Sequence, residues 1–309
     1  MKKIIKILLK YPLRLVNYIY TYFYYKNNNL GKNYNIEDML MGNSKILVLS
    51  PHVDDETIGL GGTLFKHKEI KNTMSLVYMT DGGGSTTDTS REELIAIRKS
   101  EGEEVKKAYG FENLYFLDEI DGELDFNKID LINEIVGILE MEKPNIIYTP
   151  FLIDGHKDHV ATTKVLISAL KIWDKDFENI YMYEINSPIR PKLINSISPM
   201  DEKLYNKKGE VYNIFTSQWA MDFNVFRLMD RRKKHLIGDN TYGAEIFVKS
   251  NLENLMEMEK ALGDFRPEDF RQLSSHYNLL FAFKNNRELK EKYNKKINDI
   301  LQKSYVKEK

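Results

Sequence analysis

The chain has 309 residues, 42% of them hydrophobic and 29% charged, which is enough for one large or two small α/β units with a substantial core. Its formal net charge of −1 argues against a general nucleic-acid binder, which needs a marked basic excess. With no cysteine in the chain, disulfides, thiolate zinc sites and a cysteine nucleophile are excluded, so any metal must be held by histidine and carboxylate.

The N-terminal stretch carries Lys2, Lys3, Lys6, Lys10, Arg14 and Lys26, and no acid occurs before Glu37. Ile4, Ile5, Leu8 and Leu9 share a helical face, which Pro12 interrupts. Leu15 to Tyr25 is aromatic and apolar, but at eleven residues with Asn17 and Thr21 inside it is too short to span a bilayer. No small-residue cleavage site follows, which argues against a removed signal peptide. Two readings stay open: a helix docked on the domain by its aromatic face, and a basic segment lying on an anionic membrane surface. Residues 27–35, NNNLGKNYN, read as a linker.

KILVLS (45–50) is a continuous apolar run, as expected of a parallel strand covered on both faces. A helix beginning near Ile58 follows, then a strand at 75–80 that ends in the turn-forming loop DGGGSTTDTS. A long helix from Ser90 places Leu94, Ile97, Val105 and Ala108 inward and stops at Gly110. Further strands are expected at 113–117, 145–150 and 180–186, with helices at Ile129–Met141 and from about Val160. This alternation predicts an α/β fold: a Rossmann-like, mainly parallel sheet with helices on both faces. A C-terminal helical segment completes it, and its stripe Leu289, Tyr293, Ile297, Leu301 reads as packing. The expected organisation is a basic aromatic segment and linker over 1–35, a main domain over 36–250, and a helical extension packed on it over 251–309.

Ligands of open α/β sheets gather beyond the carboxyl ends of the strands. There the chain places His52-Val53-Asp54-Asp55-Glu56, Asp81-Gly82-Gly83-Gly84, Asp121-Gly122-Glu123 and Asp154-Gly155-His156-Lys157-Asp158-His159. Two nitrogens and a carboxylate oxygen are the protein ligands of a catalytic zinc with its fourth position open. The bland alternative has Asp54 and Asp55 capping a helix beside ordinary loop histidines. His67, His235 and His276 stand in polar contexts and read as surface or core-edge residues. Gly59, Gly61 and Gly62 suggest close helix–sheet packing rather than a phosphate cradle, because carboxylates adjoin them.

PHVDDETIGLGG, TDGGG, RKSE (98–101), DGEL (121–124) and HKDHVA (156–161) together resemble the signatures of the LmbE/PIG-L family of zinc-dependent sugar N-deacetylases, with SQ (217–218) and YGAEIF (242–247) extending the likeness. The resemblance implies that Zn2+, or another divalent ion, is held by His52, Asp55 and His159. It also implies that Asp54 is the general base and that His156, as an imidazolium, stabilises the oxyanion. Arg98 and Asp121 are the implied substrate contacts, although a surface salt bridge and an Asp-Gly turn are the plain readings of these two. Asp158 is expected to orient His156, and Glu56 to support the ligands from behind. Val53 and Lys157 replace prolines of the family pattern, and neither position is a ligand. Lys157 could draw in an anionic substrate.

The implied reaction is removal of acetyl from an N-acetylglucosamine-type sugar that is free, glycosidic or lipid-linked. A zinc amidase for a non-sugar acylamine and a degenerate glycan-binding protein at the membrane surface are the alternatives. The expected partner is an N-acetylated saccharide, not nucleic acid, with peripheral membrane contact through residues 1–26. A cytoplasmic location, the inner membrane face included, goes with these expectations.

Overall fold

The structure is a computed structural model that describes residues 2–31, 34–238 and 241–307. Side chains of residues 2–10 and 304–307 lie outside that description. So, therefore, do the expected apolar face of Ile4, Ile5, Leu8 and Leu9 and two residues of the expected linker, Lys32 and Asn33.

Helix α1 (Lys2–Lys26) and the short strand β1 (Asn35–Ile36) lead into β2 (Lys45–Ser50), α2 (Asp55–Glu69), β3 (Thr73–Thr80), α3 (Arg91–Tyr109) and β4 (Asn113–Glu119). The chain continues through α4 (Ile129–Glu142), β5 (Ile146–Pro150), α5 (Lys157–Trp173), β6 (Ile180–Tyr183), β7 (Ser196–Met200), α6 (Glu202–Val211) and α7 (Phe223–Lys233). It ends with β8 (Gly243–Ser250), α8 (Leu252–Ala261), α9 (Leu279–Lys284) and α10 (Arg287–Lys307). The strands form one sheet in the order β1-β7-β8-β6-β5-β2-β3-β4. Every pairing is parallel except those of β8, which runs antiparallel to β6 and β7.

The mainly parallel sheet agrees with the sequence pattern, and its apolar strands explain why. Ile46 to Leu49 of β2 and Ile146 to Tyr148 of β5 are fully or almost fully buried, as strands covered on both faces must be. β2 sits between β3 and β5, so the crossover direction reverses there and a crevice opens beyond the carboxyl ends of β2 and β5. The two histidine-bearing loops leave those two ends. Ser90 caps α3 by accepting from Glu93 N–H at 3.2 Å, and Gly110 ends it at φ 80° with its N–H on Lys106 O. Both signals were legible in the sequence. On α10, Tyr293, Ile297 and Leu301 are buried.

β3 starts two residues earlier than expected and β4 ends two later, and three further boundaries differ at the crevice. α2 begins at Asp55, not near Ile58, and α5 begins at Lys157, not Val160. The ionisable residues that read as loop instead form first helical turns, where exposed N–H groups favour acids. β6 ends at Tyr183, because Glu184 and Asn186 turn into hydrogen bonds, with Ile189 N–H on Glu184 Oε2 (2.6 Å) and Asn186 N–H on Asp154 Oδ2 (3.0 Å).

His67 is also corrected: it is fully buried, with Nε2 2.8 Å from Tyr148 Oη and Nδ1 2.9 Å from Asn72 Nδ2. His235 and His276 are buried as well. Among the described residues no helix is long and apolar enough to cross a membrane.

Candidate metal and catalytic site

The turn after β2 presents its groups under backbone strain. Asp54 has φ 139° and ψ −27°, a conformation that costs a non-glycine residue about 1–3 kcal/mol and persists only where the surroundings impose it. Downstream, Gly59 lets α2 lie directly on the sheet, because a Cβ there would fall inside the ring of Tyr183. Gly62 and Thr63 donate their backbone N–H groups to Glu245 at 2.7 Å, which anchors the helix to β8. The glycines therefore serve close packing.

His52, Asp55 and His159 meet in the crevice. Asp55 Oδ2 lies 3.0 Å from His52 Nδ1 and 3.4 Å from His159 Nε2. Bonds of about 2.0–2.1 Å to a tetrahedral ion place neighbouring ligand atoms about 3.3 Å apart, so both separations suit a shared cation. His52, His156 and His159 also each offer a nitrogen within 4.8 Å of the other two.

The opposite nitrogen of each expected ligand faces a carboxylate. His52 Nε2 is 3.1 Å from Asp121 Oδ1 and 3.3 Å from Asp158 Oδ2, and His159 Nδ1 is 3.0 Å from Asp154 Oδ1. Carboxylates in that position fix the tautomer and raise the basicity of a metal-binding imidazole.

The charge balance of the crevice favours a cation. Asp54, Asp55, Glu56, Asp154 and Asp158 are buried, and buried carboxylates need compensation. Burial pulls the His52 imidazole down, but hydrogen bonds that its ring donates to Asp121, Asp158 and Asp55 outweigh it and hold the ring well above its ordinary value. Burial likewise opposes a proton on His159, and Asp55 and Asp154 overcome it. Asp55 is pushed up by burial yet ends below the usual carboxylate range because of His159 and His52. A divalent ion at Asp55 would take over the role of these protons and release them.

Asp54 behaves differently. Burial drives its carboxyl well above the usual range, only partly opposed by Arg98, whose Nη1 stands 3.8 Å from Asp54 Oδ2. Glu56 is also raised by burial and accepts from Thr57 Oγ1 and from Asp54 N–H, so it supports the turn from behind.

His156 departs from the expected imidazolium. Burial and the neighbouring rings of His159 and His52 push it down to about 4. Its Nδ1 accepts from Asp158 N–H at 3.3 Å, which leaves the proton of the neutral ring on Nε2. The Asp158 carboxylate has an oxygen within 4.8 Å of a His156 nitrogen, but its short contacts are with Gly122 N–H at 2.6 Å and His52 Nε2 at 3.3 Å. Asp121, expected to contact sugar, accepts from Gly84 N–H and backs His52. Lys157 is exposed at the start of α5.

Arg98 is not a surface residue, being 1% exposed. The Gln218 amide turns its oxygen to Arg98 Nη1 and Nη2 at 2.6 and 2.8 Å. Glu101 stands 3.7 Å from Arg98 and accepts from Ser217 N–H (2.8 Å) and Ser217 Oγ (2.6 Å), tying the Gln218 loop to α3. A cavity of about 310 Å³ is lined by His52, Asp54, Asp55, Arg98, Asp121, His156 and His159, with Gln218, Met221, Gln272 and Ser274 on its wall. Sequence reasoning did not assign Gln218, Asp154, Gln272 or Ser274 to the site. Gln218 stood inside the noted SQ and Asp154 inside the late histidine loop, whereas Gln272 and Ser274 carry no motif.

Residues 47–170, which hold both histidine loops, match the family model described as PIG-L: GlcNAc-PI de-N-acetylase. This stretch is similar to PIG-L domains. Over 120 residues the chain is 34% identical to the diacetylchitobiose deacetylase of Thermococcus kodakarensis, a match covering 37% of this chain and 45% of that protein. Over 138 residues it is 30% identical to a probable N-acetyl-alpha-D-glucosaminyl L-malate deacetylase 2 of Bacillus cereus, covering 42% and 63%. The chain thus spans less than two thirds of these curated relatives. The N,N'-diacetylchitobiose deacetylase of Pyrococcus horikoshii has a similar fold, with a TM-score of 0.59 and 24% identity over 75% of this chain and 91% of that one.

Proposed function

We propose that the chain is a zinc-dependent hydrolase that removes the acetyl group from an N-acetylglucosamine-type sugar, yielding acetate and a free amine. The observation that carries this reading is the meeting of His52 Nδ1, Asp55 Oδ2 and His159 Nε2 from two loops, with the unsaturated carboxylate of Asp54 next in sequence. The relatives named deacetylases support it.

His52, Asp55 and His159 would hold the ion, which when bound supplies Lewis acidity and makes water a stronger nucleophile at neutral pH. Asp54 takes the proton of the attacking water and returns one to the leaving nitrogen. Its burial-raised pKa suits both steps, since a base works best when its pKa approaches the operating pH. The neutral His156 donates its Nε2–H to the acyl oxygen as negative charge develops there. No proton need be stripped from a cation for this, and a neutral donor is what the depressed pKa leaves available. Arg98, held by Gln218 and flanked by Glu101, presents a fixed fork of donors to sugar or acetyl oxygens. Asp121 and Asp158 keep His52 turned with Nδ1 toward Asp55, and Asp154 does the same for His159 Nε2.

The test is acetate release from a panel of N-acetylated saccharides by protein loaded with zinc, against protein stripped by chelator. Release that depends on zinc and on the sugar acetamide is expected. No release from any saccharide, alongside cleavage of a simple acylamine, would replace the sugar with a non-sugar substrate.

A further inference from the structure

Helix α1 buries one side and presents an unusual other side. Asn17, Thr21 and Tyr25 are fully buried, and Asn17 Nδ2 reaches His276 O at 2.7 Å. Opposite them Tyr11, Leu15, Val16, Tyr18, Ile19 and Phe23 are 75, 61, 48, 53, 47 and 54% exposed. At 100° per residue these six fall in one sector of the helix, and that sector contains no acid. A soluble surface rarely leaves so many large apolar side chains together in water.

We infer that this outward face of α1 is a docking surface for an anionic lipid bilayer, set beside the mouth of the metal-site cavity. Charge favours that occupant. Before Glu37 the chain carries seven cations, Lys2, Lys3, Lys6, Lys10, Arg14, Lys26 and Lys32, and no acid, and basic residues beside a membrane gain from anionic headgroups. Aromatic and aliphatic side chains on one face with cations around them is the composition of an interfacial helix. A second copy of the chain is a poorer occupant, because a two-fold contact of α1 with itself would bring like charges together.

The placement of α1 links the surface to the site. Arg14 pairs with Asp222 at 3.5 Å, and Asp222 N–H donates to Ser274 O at 3.0 Å. Met221 and Ser274, next to these contacts, line the cavity. Trp219, between the cavity residues Gln218 and Ala220, is 61% exposed. Midway along the face Arg232 stacks on Tyr18, 3.4 Å from the ring centroid, and fixes α1 to α7. α1 therefore packs beside residues of the cavity wall, and the proposed docking sets the bilayer near that cavity. Given the proposed deacetylase reading, an acetamido sugar carried on a lipid would be presented there without leaving the membrane surface.

The full chain should co-sediment with vesicles containing phosphatidylglycerol far more than with pure phosphatidylcholine vesicles, and added salt should release it. Leu15→Asp and Phe23→Asp should each lower the bound fraction roughly tenfold or more, whereas Ile129→Asp, at a site 70% exposed on α4, should leave it unchanged. Acetate release from a water-soluble N-acetylglucosaminide by the α1 variants should match wild type, showing intact folding. If the soluble sugar is not cleaved, matched thermal melting curves serve as that control, so failure of the deacetylase reading leaves the membrane test standing. Equal sedimentation of wild type and both α1 variants would overturn the inference. So would a dimer by sedimentation equilibrium that Leu15→Asp splits without any vesicle binding, which assigns the face to a second copy.

Discussion

Replacing Asp54 by glycine and, separately, by alanine should give stabilities in the reverse of their usual order. Both variants lose the same buried carboxylate and the same 3.8 Å contact with Arg98, so those effects cancel in the comparison. What differs is the backbone. At φ 139° alanine retains a strain of about 1–3 kcal/mol that glycine relieves. Against this, glycine loses about 0.5–1 kcal/mol through the greater freedom of its unfolded chain. The balance favours glycine by about 1 kcal/mol, worth roughly 2 °C in melting temperature for a chain of this size. Urea unfolding at pH 7 with excess chelator measures it without a metal contribution. In the same preparations reloaded with zinc, kcat for acetate release should fall about 10²–10⁴-fold in both variants. Alanine more stable than glycine would refute the strain, and kcat within tenfold of wild type in either variant would refute Asp54 as the base.

Three further outcomes follow from the geometry. Burial holds His67 at about 3, below its unfolded value of about 6.5, so its contribution to stability is intact above pH 6.5 and is lost as pH falls toward 3. Urea unfolding should show the difference between wild type and His67→Gln shrinking by about 1.4 kcal/mol per pH unit below 6.5, and parallel curves would sink the assignment. His156→Ala should lower kcat about 10²–10³-fold with zinc content by mass spectrometry unchanged; loss of the metal would make His156 a ligand instead. Gly59→Ala forces a methyl into the ring of Tyr183, whose Oη is held by Leu49 O at 2.8 Å, and should cost about 1–3 kcal/mol, so an unchanged melting temperature would count against the packing role.

What the sequence made legible was local. Apolar runs such as KILVLS specify strands covered on both faces, and Ser90 and Gly110 mark helix ends through hydrogen bonds made within a few residues. His52, Asp55, His156 and His159 stand out because their chemistry is concentrated in two short loops. Their supports are not local. Asp121 reaches His52 across 69 residues and Asp158 across 106, so a motif names the imidazole but not the carboxylate that turns it. Gln218 joins Arg98 only because Glu101 ties down the 216–218 loop across more than 100 residues. His67 misled for the same reason. Its polar neighbours in sequence suggested a surface, but its ring faces Tyr148 on β5.

The treatment of buried carboxylates separates those that build the fold from the one proposed to act. Glu245 accepts from Gly62 N–H, Thr63 N–H, Thr63 Oγ1 and Lys208 Nζ, all at 2.6–2.8 Å. Glu101 accepts from Ser217 N–H, Ser217 Oγ and Thr216 Oγ1 at 2.6–3.1 Å. Such saturation meets the hydrogen-bonding needs of a buried carboxylate. Asp54 is as buried as these, yet its ion pair with Arg98 is stretched to 3.8 Å and Asp55 and Glu56 repel its charge. With few donors to offset its burial, the Asp54 carboxyl is held well above the usual carboxylate range. The Glu245 contacts hold α2 so that the strained turn cannot relax toward a better-solvated arrangement. The same packing that anchors the helix therefore keeps Asp54 basic.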